Sequence, residues 1–112
     1  MKIAIPLTGG SLSAHFGHCE QFAMMTVAAK TRMVLSREDL SPPPHEPGLY
    51  PVWLAERGVT HIIAGGMGPN AQNLFTRNNI EVLVGSPSED PEKIVSLFLE
   101  GKLEAGANTC DH

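Results

Sequence analysis

Hydrophobic and polar positions along the chain follow two patterns, and these predict two kinds of element. Short apolar runs bounded by turn residues predict five strands, at residues 2–6, 21–27, 32–38, 59–64 and 81–84. Apolar positions at helical spacing predict three helices, which begin at Leu49, Pro69 and Pro91. The first helix is expected to end at Gly58 and the last at Gly101, with Asp90 as the N-cap of the last.

The order of these elements, β-β-β-α-β-α-β-α, predicts an α/β fold. The second and third strands are separated by a short polar turn and are expected to pair antiparallel, whereas strands that alternate with helices are typical of parallel pairing. We therefore expect one domain in residues 1–103, with a five-stranded mixed sheet and helices on both faces in three α/β/α layers. The proline-rich residues 41–48 predict an exposed linker, and residues 104–112 predict a flexible tail.

Composition narrows the classes of partner. The chain has 112 residues and a net charge of −4, and its Lys and Arg residues do not cluster, so nucleic acid is not an expected partner. No stretch approaches the roughly 18 apolar residues that a membrane span requires, and the start of the chain does not read as a signal peptide. We expect a cytoplasmic protein with no membrane partner, in which Cys19 and Cys110 are thiols or metal ligands. A disulfide between them is the alternative.

Histidine and cysteine concentrate in two short stretches, HFGHC at residues 15–19 and TCDH at residues 109–112. Neutral imidazole and thiolate are ligands for zinc, copper(I) or iron. The predicted metal ligands are His15, His18, Cys19, His45, Cys110 and His112. The alternative is that His15 bonds only to backbone and Cys19 packs as a small hydrophobic residue. His61 lies within a predicted strand and is expected to be structural.

A glycine-rich turn, Gly65-Gly66-Met67-Gly68, follows a predicted parallel strand. The carboxyl edge of an open α/β sheet is where such folds bind ligands, and glycine lets backbone N–H groups approach an anion at the start of the next helix. Residues 66–71 also match the G-x-G-x-x-A form of a dinucleotide fingerprint, but the end of the next strand carries no acidic residue. The alternative is a tight turn that needs glycine only for its backbone geometry.

Several of these motifs together resemble a known family. The opening KIAIP, HFG at residues 15–17, the phenylalanine at position 22 and IIAGGMGPNA at residues 62–71 resemble the dinitrogenase iron–molybdenum cofactor biosynthesis family. The resemblance extends from residue 2 to about residue 103. This family includes carriers of the nitrogenase cofactor and the orange protein, which carries a molybdenum–copper sulfide cluster. The resemblance implies a ribonuclease H-like domain.

The resemblance also implies where a cluster is held, between the HFG loop, the glycine turn and the next strand end. The residues it implies for cofactor binding are Phe16, Gly17, Gly65, Gly66, Met67, Gly68, Gly85 and Ser86, beside the predicted ligand His15. Many relatives have Arg after HFG, whereas this chain has His18 and then Cys19. The difference removes a positive charge and adds two ligands, which favours direct coordination over purely electrostatic binding.

These observations lead to one main hypothesis and two alternatives. The main hypothesis is non-enzymatic binding, storage or delivery of a metal–sulfur cluster, of the molybdenum–copper sulfide type or an iron–sulfur or iron–molybdenum precursor. Its expected partners are cluster donor and acceptor proteins, and we expect a monomer or weak homodimer. One alternative is a regulatory domain that binds a small molecule or nucleotide at residues 65–68 without metal. The other is a cysteine-dependent enzyme, which requires a lowered pKa at Cys19.

Overall fold

The structure, a computed structural model, describes residues 1–13, 19–43, 48–86, 90–101 and 103. Within these residues, six strands form one sheet and three helices pack on it. The strands are β1 (Lys2–Thr8), β2 (Ser11–Leu12), β3 (Gln21–Val27), β4 (Val34–Leu40), β5 (His61–Ile63) and β6 (Glu81–Leu83). The helices are α1 (Leu49–Glu56), α2 (Pro69–Arg77) and α3 (Pro91–Leu99). No helix in these ranges is long and apolar enough to span a membrane.

The sheet is mixed, as predicted, and its strand order is β4-β3-β1-β5-β6. β1 lies in the centre, antiparallel to β3 and parallel to β5, while β5 is parallel to β6. The prediction of five strands is wrong by one, because β2 folds back on the end of β1 with Leu7 opposite Leu12. Two residues are too few to give an alternating pattern, so the sequence did not reveal β2. The ribonuclease H-like assignment stays a prediction.

Side chains of the central strands alternate between two apolar layers, which confirms helices on both faces. Ala4 belongs to a core cluster with residues of α1 and α2, including Leu54 and Phe75. Its neighbours Ile3 and Ile5 belong to a second cluster with Ile94 and Val95 of α3. Because successive strand residues point to opposite faces, the five apolar or proline residues after Lys2 fill both layers.

The element boundaries agree with the sequence pattern to within two residues. β1 continues two residues past its predicted end and β5 begins two residues late, while β4 is shifted by two residues at both ends. This strand begins two residues after the predicted start because the backbone turns first. The N–H of Arg32 donates to the carbonyl of Ala28, and Arg32 has a φ of 56°. The predicted cap of α3 is confirmed, since Asp90 Oδ1 accepts a hydrogen bond of 2.9 Å from the N–H of Glu92.

Candidate functional site

One edge of the sheet collects the chain segments that the sequence singled out. The parallel strands β1, β5 and β6 end at this edge. The antiparallel strand β3 begins there, because its first residue, Gln21, lies opposite Leu7 near the end of β1. Cys19, two residues before Gln21, is therefore at the same edge as the turn Gly65–Gly68 after β5 and as Gly85 and Ser86 after β6. The described members of the predicted site therefore lie along one edge of the sheet.

Cys19 is a free, half-buried thiol that packs against the core cluster of α1 and α2. Burial raises the pKa of Cys19 to about 12, and a hydrogen bond from a backbone N–H counteracts part of that rise. The neutral thiol is therefore the form present near pH 7, and a metal that binds it must displace a proton. A cysteine-dependent enzyme needs a readily formed thiolate, which the raised pKa of Cys19 does not favour, and that alternative stays a prediction.

Tyr50, at the start of α1, lies close to Cys19. Burial raises the pKa of Tyr50, and the negative charge of a Cys19 thiolate raises it further. The Tyr50 ring is 4 % exposed and belongs to the same core cluster as Phe22 of β3. A phenol group that keeps its proton remains a hydrogen-bond donor beside the thiol. No sequence motif marked Tyr50, since its position depends on the packing of α1 on the sheet.

Backbone hydrogen bonds to the end of β6 hold the glycine turn. The N–H of Gly85 donates to the carbonyl of Gly65 over 2.9 Å, and the N–H of Ser86 donates to the carbonyl of Ala64 over 3.3 Å. Gly65 and Gly66 are buried. The side chain of Met67 is 1 % exposed and packs in the core, so a ligand at this edge would meet the backbone of Met67.

The first turn of α2 presents backbone N–H groups without a side-chain cap. Its N-cap is Gly68, in extended conformation and with no side-chain hydrogen bond, whereas α3 has the Asp90 cap. Across the ranges that the structure describes, no residue accepts a hydrogen bond from the N–H of Gly66 or of Gly68. The positive end of a helix and unused backbone N–H groups favour an anionic ligand.

Two polar side chains that the sequence did not mark fix the loops at this edge. Glu20 accepts a hydrogen bond of 2.7 Å at Oε1 from the N–H of Gly9, which ties the turn after β1 to the chain that enters β3. Gln72 donates from Nε2 to the carbonyl oxygen of Met67 over 2.8 Å. The one available signal for Gln72 was a polar residue next to the buried face of an amphipathic helix.

The other predicted site residues lie outside the described residues. These are His15, Phe16, Gly17, His18, His45, Cys110 and His112. The described part of the chain contains no group of three or more His, Cys, Asp or Glu side chains arranged to hold a metal ion. The predicted ligand set therefore stays a prediction, in which Cys19 is the member whose surroundings are known.

His61 lies at the opposite end of β5, away from this edge. Its Nδ1 is 2.8 Å from Thr60 Oγ1, and its Nε2 is 3.2 Å from Glu81 Oε2 on β6. The ring also packs against Phe98 of α3, with centroids 5.7 Å apart. These contacts join β5, β6 and α3, which agrees with the expected structural role.

Open clefts lie elsewhere on the surface. One of about 450 Å³ runs along α2 and is lined by Gly48, Asn70, Asn73, Leu74 and Arg77. Another of about 550 Å³ lies beside β6 and is lined by Thr76, Asn79, Ile80, Glu81 and Val82. Neither lining includes a residue of the turn Gly65–Gly68.

The structure is thus a small α/β domain with a thiol and a glycine-rich turn at the edge where its parallel strands end. The family model described as "Dinitrogenase iron-molybdenum cofactor" matches residues 1–101, and the chain belongs to this family. The resemblance noted from the motifs is thereby confirmed.

Three individual proteins are similar to this chain in sequence or in fold. The chain is 34% identical over 110 residues to uncharacterized protein MJ0580 of Methanocaldococcus jannaschii, which covers 93% of this chain and 90% of that protein. The crystal structure of PH0822 superposes with a TM-score of 0.85 at 25% identity and 94% coverage of both chains. The apo form of the orange protein from Desulfovibrio gigas gives a TM-score of 0.73 at 23% identity, covering 96% of this chain and 93% of that one. At this identity, the similarity to the orange protein is one of fold alone.

Proposed function

We propose that this protein holds and delivers a metal–sulfur cluster, or a precursor of one, without turning over a substrate. The observation that carries the proposal is that Cys19 and the uncapped start of α2 both lie at the sheet edge where the parallel strands end. A thiolate is a soft-metal ligand, and backbone N–H groups donate hydrogen bonds to cluster sulfides. Membership of the cofactor family agrees with this chemistry.

The proposed cargo is anionic and coordinated directly. A molybdenum–copper sulfide unit or an iron–sulfur precursor would meet the N–H groups of Gly66 and Gly68 on one side and Cys19 on the other. We place His15 and His18 in the same ligand set, as their position in the HFGHC motif implies, with His45, Cys110 and His112 as further ligands. Copper, molybdenum and iron are therefore the metals to test first.

An open edge suits transfer better than permanent storage. Cys19 is half-buried and the turn residue Gly68 is partly exposed, so a donor or acceptor protein can approach the cargo without unfolding the domain. Ligands that are protonated before loading also make binding reversible by proton uptake. We therefore propose cluster donor and acceptor proteins as the partners, in a reducing compartment such as the cytoplasm.

Anaerobic loading tests the proposal. The apoprotein is incubated with copper(I) plus tetrathiomolybdate, with ferrous iron plus sulfide, or with zinc, and is then desalted before its bound metals and visible spectrum are measured. The wild type is expected to retain one coloured cluster in stoichiometric amount. A variant with His15→Ala, His18→Ala and Cys19→Ala together is expected to lose it.

The matched control is His61→Gln, which changes a histidine at the opposite end of the sheet and should retain the cluster. If the wild type retains no metal, or if the triple variant retains as much as the wild type, the carrier proposal is wrong. A regulatory domain would then be the better explanation, and it predicts that a bulky residue at Gly66 abolishes binding of its small molecule while the triple variant binds normally.

A further inference from the structure

We infer that Gln72 is a positioning residue. It sets the direction of the Gly68 N–H at the sheet edge where we propose that the cluster binds, called the cargo edge below. The inference rests on the proposed function, because it concerns how that edge meets an anion. Gln72 is partly buried, and it contacts the turn twice. Its side-chain Nε2 donates to the Met67 carbonyl over 2.8 Å, and its backbone N–H donates to the Gly68 carbonyl over 3.1 Å.

The geometry of the peptide bond turns this contact into a constraint on the next N–H. In a trans peptide the C=O of one residue and the N–H of the following residue point in opposite directions. The carbonyl of Met67 points at Gln72, so the N–H of Gly68 points away from Gln72. No acceptor for this N–H occurs in the portion of the chain that the structure describes.

The same argument applies to the other unused donor of the turn. The Gly65 carbonyl accepts from the N–H of Gly85 beyond β6, so the N–H of Gly66 points to the side of the turn away from β6. In the strand order that side is occupied by β1, whose end carries the chain towards Cys19. A backbone bond therefore fixes one donor, whereas the side chain of Gln72 fixes the other.

The hydrogen bond from Gln72 is needed as a restraint because the residue after Met67 is a glycine. Gly68 has no side chain to limit rotation of the Met67–Gly68 peptide, and its Cβ position is open space. Met67 is anchored by its buried side chain, but that anchor does not set the orientation of its carbonyl. Removal of the Gln72 donor takes away a contact that holds the peptide plane, so the Gly68 N–H would sample more than one direction and bind an anion more weakly.

The test compares the side-chain amide of Gln72, which lies within α2, with that of Asn78, the C-cap residue of α2. Gln72→Met keeps length and helix propensity but removes the donor. The control, Asn78→Met, removes an amide that also donates over 2.8 Å to a backbone carbonyl, that of Leu74 at the far end of α2. Binding of tetrathiomolybdate is followed by equilibrium dialysis, and the Gly68 amide is followed by ¹⁵N–¹H NMR of the apoprotein. Gln72→Met is expected to weaken binding about tenfold and to shift and broaden the Gly68 signal, while Asn78→Met changes neither.

A third variant separates positioning from general stability. Gln72→Glu has the same shape, but its carboxylate can only accept hydrogen bonds until it is protonated near pH 4.3. In this variant the Gly68 signal should be displaced at pH 7 and return towards the wild-type position as the pH falls through that range. A structural effect of the substitution alone would not reverse in this way.

The outcomes distinguish this inference from the proposed function. If Gln72→Met keeps the wild-type Gly68 signal, or binds tetrathiomolybdate as tightly as Asn78→Met, Gln72 is not a positioning residue. If the Gly68 signal responds as expected but the wild type binds no tetrathiomolybdate and retains no metal in the loading experiment, Gln72 still orients the turn and the carrier proposal is the part that fails.

Discussion

The ring of Tyr50 meets the ring of Phe22 edge-on, with centroids 5.4 Å apart and planes at 89°. Phe22 also contacts Trp53, at 5.9 Å, so α1 is fixed to β3 by three aromatic side chains. Cys19 packs against the core cluster that contains Phe22 and Tyr50. The packing of α1 on the sheet therefore contributes to the removal of the Cys19 thiol from water.

The first prediction concerns the reactivity of Cys19. Because burial raises the pKa of Cys19 to about 12, little thiolate forms at pH 8 and the thiol should react slowly with iodoacetamide. In a Cys110→Ser background we expect alkylation at least about tenfold slower than for free cysteine. The same variant unfolded in urea should react at the free rate. Fast alkylation of the folded variant would mean that Cys19 is not protected as described.

The second prediction concerns stability in alkaline solution. Unfolded Cys19 loses its proton near pH 9.0, whereas folded Cys19 keeps it until about pH 12. Between these values the unfolded state binds fewer protons, so this group makes the free energy of unfolding fall as the pH rises. Cys19→Ala lacks the effect. Urea midpoints at pH 8 and pH 10.5 should therefore fall further in the wild type than in Cys19→Ala, and equal falls would contradict the burial of the thiol.

The third prediction separates stability from cargo binding at the start of α2. Gly68 has φ −67° and ψ 158°, and a Cβ there meets no atom within 4 Å, so Gly68→Ser should fit. A serine N-cap can accept from the first N–H groups of α2 and should stabilise the fold by a few tenths of a kcal/mol. It also occupies donors at the edge, so retention of a cluster after desalting should fall.

The control for this substitution is the opposite change at the capped helix α3. Asp90→Gly removes the cap of α3 and should cost a few tenths of a kcal/mol while cluster retention stays at the wild-type level. If Gly68→Ser raised the thermal midpoint but retained as much cluster as the wild type, the N–H groups of α2 would have no part in binding.

The fourth prediction tests the core between the sheet and α2. Phe75 is fully buried, so Phe75→Ala should lower the free energy of unfolding by about 3–5 kcal/mol. Val52 of α1 is 44 % exposed, and Val52→Ala should change the free energy of unfolding by less than about 0.5 kcal/mol. Urea denaturation of both variants checks the contrast, and similar losses would show that α2 is not packed as described.

Strong periodic patterns made the larger elements predictable from the sequence. The three helices begin where Leu49, Pro69 and Pro91 predicted, since proline at the first helical position and a preceding glycine or aspartate are local signals. The start of β4 was not predictable in the same way. It depends on a turn in which Arg32 adopts a positive φ, and nothing in its residue type indicates that conformation.

The site was predictable only where a motif stands next to a strand end. The glycine turn lies at this edge because it follows a parallel strand, and Cys19 lies there because the antiparallel strand β3 begins where β1 ends. The contributions of Gln72 and Tyr50 follow from which face of a helix packs on the sheet and how far a side chain reaches. The distances from these side chains to their partners are properties of the packed structure, and a single sequence does not contain them.

The central position of β1 affects the order in which the sheet can form during translation. Lys2 and Thr60 hydrogen-bond to each other through backbone and side chain, although 58 residues separate them. During translation β1 emerges first, and it can pair with β3 early, but its parallel neighbour follows only after half the chain has been synthesised. The glycine turn acquires its bonds to Gly85 and Ser86 later still. A nascent or truncated chain without β6 would thus lack the backbone hydrogen bonds that hold the glycine turn in place.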